Sequence, residues 1–184
     1  MIITYKRILD FFRGKFKTNV QIIGDKRKIK IGRGVEFLGR VIIDLSHDGE
    51  VNIGDNVVLM EGVILKPFGG KIIIGNNCSI NPYCVLYGHG GLTIGNYVRI
   101  ATHTIIIPAN HIIEALDIPV CEQGLSTKGI IIEEDVWIGA GVKILDGVKI
   151  EKGSVLAAGA VINSNVEQYS IYGGVPGRLI KKRY

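Results

Sequence analysis

The sequence has no long uninterrupted apolar stretch. Nowhere do about 18 uncharged apolar residues follow one another, which excludes an ordinary membrane-spanning helix. The opening MIITYKRILDFFRGKFK puts charges where a secretory signal needs its apolar stretch, so a cytoplasmic location is expected. Cysteine is scarce too. Three residues, an odd number at no metal-ligand spacing, exclude a disulfide framework and a thiolate zinc site, and no metal is expected. With 47% hydrophobic against 21% charged residues, disorder and collagen-like repetition are also excluded, and 184 residues suffice for one domain with a continuous core.

Charge is present but unevenly placed. Residues 1–40 hold 11 Lys/Arg against 3 Asp/Glu, a net +8, which leaves −3 for the remainder of a chain whose total is +5. The first 20 residues read as a short amphipathic helix, with Ile8, Leu9, Phe11, Phe12 and Phe16 near one face and Lys6, Arg7, Arg13, Lys15 and Lys17 elsewhere. A cap over one end of the fold is the plain reading, and a peripheral contact with acidic lipid is the alternative. Solvated positive charge is the commoner meaning of such a balance, and no nucleic-acid partner is expected.

The chain repeats itself every six residues. Consecutive hexads open at Ile132, Ile138, Ile144, Ile150, Leu156 and Ile162, and earlier copies open at Ile31, Ile53, Leu59, Ile74, Ile80, Ile94 and Ile100, with short slips between them. The fifth position is small or branched, as at Val57, Val63, Cys78, Cys84, Val136, Val142, Val148, Ser154 and Ala160, so positions one and five both want the interior. The fourth is repeatedly Gly, Asn or Asp, as at Gly34, Asn56, Gly62, Asn77, Gly141, Gly147, Gly153, Gly159 and Asn165, residue types that tolerate a left-handed corner. An amphipathic helix needs apolar spacings of three and four, which this period does not supply.

Three hexads make one triangular coil, and coils stacked at about 4.8 Å make a prism with a dry aliphatic interior, a parallel β-helix. Ile53 to Ile74 and Ile74 to Ile94 measure 21 and 20 residues, so bulges of two or three residues are expected at corners. Ile94 to Ile132 measures 38, read as one coil ending near His111 followed by a protruding excursion of about twenty residues through Cys121 and Gln123. The expected organisation is a capping segment 1–28, a β-helix 29–173 with its excursion at about 112–131, and a basic tail 174–184.

These features resemble the hexapeptide-repeat acyltransferases over roughly residues 30–180. Beyond the hexads, the resemblance is carried by Asn110-His111, Ile118-Pro119 followed by Gln123-Gly124, Val136-Trp137-Ile138-Gly139 and Gly174-Val175-Pro176-Gly177-Arg178. It implies an all-β, left-handed parallel β-helix and a homotrimer whose active sites lie between neighbouring prisms. It also implies an enzyme that moves an acetyl group from acetyl-CoA to a sugar or polysaccharide precursor. Such transfer needs a base for the hydroxyl proton, and histidine titrates in the right range. His111 matches the family's catalytic histidine.

The resemblance places Trp137 near the thioester end of the cofactor, Ala140 and Ala158 along it, and Arg178 and Lys181 at its phosphates. Tyr83, His89 and Asn110 are expected on the acceptor side. His103 reads as an exposed corner residue and His47 as a loop residue. Cys78 and Cys84 read as core, so no acyl-enzyme is expected. Where relatives often read Thr-Lys-Asp before two prolines, this chain has Asn163-Ser164-Asn165 and lacks that lysine. The competing readings are N-acetylation of an amino sugar nucleotide, acetylation of serine or an antibiotic, a gamma-type carbonic anhydrase, and a purely structural β-helix.

Overall fold

The computed structural model describes residues 19–184. The sequence-derived helix before that point lies outside the described residues. Short parallel strands build three flat faces that wind up one prism. The first face runs through Asn19–Ile23, Arg40–Asp44, Ile64–Lys66, Val85–Tyr87, Ile105–Ile106, Lys143–Ile144 and Val161–Ile162. The second holds Ile29–Ile31, Glu50–Ile53, Lys71–Ile74, Leu92–Ile94, Ile130–Ile132 and Lys149–Ile150. The third holds Glu36–Leu38, Val58–Met60, Ser79–Ile80, Arg99–Ile100, Trp137–Ile138, Val155–Leu156 and Ser170–Gly173. Because Asn19–Ile23 already pairs with Arg40–Asp44, the solenoid begins ahead of residue 29.

Each face contributes one inward column of aliphatic side chains. On the first, Ile43, Leu65, Leu86, Ile106, Ile144 and Ile162 stack in register. Ile53, Ile74, Ile94, Ile132 and Ile150 do so on the second. Leu59, Ile80, Ile100, Ile138 and Leu156 form the third. All are buried, as are the fifth-position residues named above. Removing each such side chain from water contributes about 1.5–3 kcal/mol, which fixes the hexad phase that every outward residue inherits.

The register also shows where the hexad rule breaks. Between the second and third columns, and between the third and first, the step is six residues on every coil. From first to second it is ten at Ile43–Ile53, nine at Leu65–Ile74, eight at Leu86–Ile94 and 26 at Ile106–Ile132, before returning to six at Ile144–Ile150. All the slips therefore stack along one prism edge, the bulged edge. The 38-residue interval is one coil plus an excursion, since Ile94 pairs directly with Ile132. Two-stranded pairing inside the excursion starts at Asn110, and Ile130 is back on the second face, so it leaves and rejoins slightly earlier than 112–131.

One expectation at the C-terminal end needs correction. Asn165 is not among the left-handed residues: its side chain accepts the Lys149 amide at 2.9 Å, and the coil shortens so that Val155 pairs with Ile171. The basic tail is an ordered strand, because Arg178–Lys182 turns back antiparallel on Ser170–Gly173. Conversely, Tyr83, Tyr97, His103 and Asp135 take left-handed corners where glycine or asparagine stands elsewhere.

Candidate active site

The excursion that carries His111 is held at both feet and across its middle. Its outgoing limb lies over the bulge below, where the Gly90 amide donates to the Pro108 carbonyl at 3.2 Å. Its returning limb is clamped from above by Asp146, whose carboxylate accepts the Lys128 amide at 2.8 Å and the Gly129 amide at 2.9 Å. Room for that limb depends on Gly90, where a Cβ would come within 2.6 Å of the Thr127 backbone. Asn110–His111 pairs antiparallel with Leu125–Ser126. Further out, the Gln123 side chain ties the loop to itself, accepting from the Ala115 amide at 3.0 Å and donating to the carbonyls of Ala115 and Ile118 at 2.8 and 2.7 Å.

His111 is thus an exposed imidazole on a stapled hairpin, reachable by a substrate and fixed in backbone. His89 stands on the bulge directly beneath the hairpin's root. Its ring stacks on Phe68 with centroids 4.3 Å apart, and Phe68 in turn meets His47 at 5.2 Å and Tyr87 at 4.7 Å. Burial holds the His89 pKa below the usual histidine value, against the pull of Asp146. Lys66 lies 4.6 Å over the Phe68 ring and pairs with Asp44 at 2.9 Å. Hydrogen bonds from Ser46 and Lys66 bring the Asp44 pKa down to about 2. Phe68, Lys66 and Asp44 did not stand out in the sequence. The signal was the recurrence of slips at intervals of about one coil, which puts their contents in one stack.

The edge between the third and first faces is built differently. Tyr83 stacks on His103 at 5.3 Å, and above them the column continues as Gly141 and Gly159. Ala140 and Ala158 are neighbours there, since the Gly159 amide donates to the Ala140 carbonyl at 2.8 Å. Trp137 lies just before this edge, outward on the third face and 57% exposed, in register with Arg99 and Val155. Arg178 and Lys181 are exposed on the terminal strand of the same face. The structure therefore gathers Trp137, Ala140, Ala158 and Tyr83 at one edge and His89, Asn110 and His111 at another. The first face separates the two groups within one chain.

Cys78 and Cys84 are buried core residues, and burial raises both thiol pKa values, that of Cys84 to about 11, so neither is a ready thiolate. Cys121 is exposed on the excursion. Among the described residues no three His, Cys, Asp or Glu side chains converge as metal ligands, and no helix is long and apolar enough to cross a membrane.

The chain is similar in sequence and fold to known proteins. The bacterial transferase hexapeptide (six repeats) family profile matches residues 129–164. The lipopolysaccharide biosynthesis O-acetyl transferase WbbJ of Escherichia coli, a putative assignment in its own name, is 30% identical over 146 residues, 75% of this chain and 74% of that one. A probable acetyltransferase of Mycobacterium tuberculosis is 28% identical over 183 residues, 99% of this chain but 57% of its own length. Among solved structures, a variant of AntD, an N-acyltransferase from Bacillus cereus in complex with dTDP-4-amino-4,6-dideoxyglucose and coenzyme A, superposes with a TM-score of 0.73. It is 28% identical, covering 84% of this chain and 83% of that one. The chain belongs to the hexapeptide-repeat acetyltransferases. It is an acyltransferase by class.

Proposed function

We propose that this protein transfers the acetyl group of acetyl-CoA to a carbohydrate hydroxyl in surface-polysaccharide assembly, with His111 as general base. The observation that carries the reading is the exposed His111 imidazole on a hairpin held at its outgoing foot by Gly90, clamped at its returning foot by Asp146 and tied across by Gln123. The likeness to WbbJ favours oxygen as the acceptor atom and polysaccharide as the context. The likeness to AntD keeps an amino sugar nucleotide as the second reading.

The imidazole accepts the hydroxyl proton while the oxygen attacks the thioester carbonyl. When the tetrahedral adduct collapses, the carbon–sulfur bond breaks and the imidazolium returns its proton to the departing sulfur. In this reading no side chain is acylated, and Cys78 and Cys84 are buried with raised pKa values.

Acetyl-CoA supplies the activated acyl group. The residues at the third/first edge fit it: Gly141 and Gly159 have open space where a Cβ would stand, Ala140 and Ala158 add only methyl groups, and Trp137 offers a broad exposed ring. Arg178 and Lys181 are assigned to the phosphates. The outer side of the first face carries Ile42, Ile64, Val85 and Ile105, an aliphatic ridge between the two groups of site residues. We assign this ridge to contact between copies in a homotrimer, which brings the His111 edge of one prism to the Trp137 edge of the next. The capping role expected of the N-terminal segment 1–28 is proposed on the ground that the second-face column ends at Ile31, 47% exposed.

The test is a screen of sugars, amino sugars and sugar nucleotides for thiol release from acetyl-CoA, with the modified atom located by NMR. Ester formation on a sugar is expected; amide formation replaces the first reading by the second, and no release with any acceptor overturns both. Sedimentation is expected to report a trimer, and flotation with acidic vesicles tests the lipid contact against the cap.

A further inference from the structure

A shallow trough follows the second-face side of the bulged edge. Its lower part, about 560 Å³, is lined by Lys28, Asp48, Glu50, Lys71 and His89 over a glycine floor. Its upper part, about 360 Å³, is lined by Thr93, Lys128, Ile131 and Lys149. The two share Gly90 and Gly91, the residues on which the feet of the His111 excursion rest. The strand register places Lys28, Glu50, Lys71, Gly91, Gly129 and Gly147 in one row. That row makes five coil steps, about 24 Å at ~4.8 Å per step. It is longer than one sugar ring.

The lining has a particular chemistry. Lys28 pairs with Asp48 and Lys71 with Glu50 at 3.0 Å, so exposed donors and acceptors occur together in the lower part, while Lys128 and Lys149 bring donors to the upper part. A sugar hydroxyl donates and accepts at once and is matched by such pairs. In the lower part Lys28 and Lys71 are neutralised by Asp48 and Glu50, so that part presents no net positive charge to attract a polyanion such as nucleic acid or polyphosphate. Gly91, at the junction of the two parts, has nothing within 4 Å of where a Cβ would stand, so the backbone is open to a ring there, whereas Gly49, Gly70 and Gly90 are required because a Cβ would strike the neighbouring coil.

The geometry points to an oligosaccharide acceptor. The trough holds the units flanking the one presented to His111, so the enzyme acts on an assembled, uncharged or weakly charged glycan chain in preference to a free monosaccharide. This rests on the carbohydrate transfer proposed above.

The probe is the sugar that gives most CoA release in the screen, offered as chains of one, two, four and six units, alongside binding of labelled protein to an array of bacterial glycans of graded length. In the parent, kcat/KM is expected to rise about tenfold or more between one and four units, equivalent to about 1.4 kcal/mol of added binding. Lys71→Trp, which fills the lower part, and Thr93→Trp, which fills the upper, are each expected to bring the ratio of four-unit to one-unit kcat/KM toward one. Thermal melting identifies the variant that is folded and can be read. A length-independent kcat/KM in the parent, or an unchanged ratio in a folded variant, overturns the trough. Absence of CoA release with every sugar overturns the transfer reading itself, and length-dependent array binding in that case leaves the trough standing as a glycan-binding site.

Discussion

Two edges of the same prism follow opposite rules. The edge bearing Ala140 and Ala158 advances six residues on every coil, and above the stacked Tyr83 and His103 its surface is small and plain: Gly141 and Gly159 have nothing within 4 Å of where a Cβ would be. The bulged edge takes ten, nine, eight and 26 residues on successive coils, and there the chain places His47, Phe68, His89 and His111. Both edges rest on the same buried columns, so the core did not dictate the difference. A solenoid core specifies its interior one hexad at a time and tolerates extra residues at a corner, because they protrude without moving the columns. In the proposed reading the regular edge offers backbone and small side chains to acetyl-CoA. The irregular one offers side chains.

The comparison breaks most visibly at His111. His111→Ala is expected to lower kcat by about 10²–10⁴-fold, the usual contribution of a general base, with acetyl-CoA affinity and melting temperature little changed because the side chain is exposed. His103→Ala, at the plain edge, is expected to leave turnover within a small factor. Steady-state kinetics on the two variants decides it, and near-normal turnover in His111→Ala removes the assignment.

A single methyl group on each edge sharpens the contrast. Gly90→Ala puts a Cβ within 2.6 Å of the Thr127 carbonyl and 2.7 Å of the Gly129 amide, so the returning limb of the excursion must move. Overpacking of this kind costs about 1–3 kcal/mol, and here kcat is expected to fall with it because the limb carries the His111 hairpin. Gly159→Ala meets no neighbour but forces alanine to φ +74°, a backbone strain of about 1–2 kcal/mol. Its kinetic effect is expected in the KM for acetyl-CoA. Equal loss of kcat in both variants would dissolve the distinction between the edges.

Most of the prism was legible in the sequence because its cause is local and repeated: each interior column needs an aliphatic side chain at a fixed step, so phase and coil length can be counted. Ile94 to Ile132 shows how far counting goes, since 38 residues alone fit two coils or one coil and an excursion. The register decides for the excursion, since Ile94 pairs directly with Ile132. What counting misses is what a bulge contains. Phe68 occupies no hexad position, and it meets His89 only because two slips of different length fall on the same edge. The individual candidate residues could be named one at a time, whereas their division between two edges of one chain depends on the step at each edge, which a period alone does not reveal.

Acid should separate the edges too. Asp44, side chain 15% exposed beneath the aromatic stack, has its pKa brought to about 2 by Ser46 and Lys66. A depressed carboxylate pKa stabilises the fold fully above its unfolded value near 4, and that contribution disappears as pH falls through about 2. The expected size is on the order of 1 kcal/mol, seen as a steeper drop in melting temperature between pH 4 and pH 2 in the parent than in Asp44→Asn. Parallel curves for the two proteins would show that the pair with Lys66 adds nothing.

The smallest effect is expected where the regular edge gives way to the terminal strand. Arg178 and Lys181 lie exposed on Arg178–Lys182, and Asn163-Ser164-Asn165 lacks the lysine that the family resemblance leads one to expect there. If these two cations meet the nucleotide phosphates, their contacts are alike in ground and transition states. Replacing both by alanine then raises the KM for acetyl-CoA and leaves kcat nearly unchanged. Solvent screens each contact, so the rise is expected to be about three- to tenfold, in line with the ~0.2–1 kcal/mol typical of an exposed ion pair. Added salt is expected to weaken acetyl-CoA binding in the parent and less so in the double variant, because an exposed pair loses its attraction as the Debye length shortens. An acetylated pantetheine thioester, which has no nucleotide, is expected to serve both proteins equally well. An unchanged KM for acetyl-CoA in a trimeric double variant would mean that the phosphates are held elsewhere, and that the terminal strand is a solvated basic end.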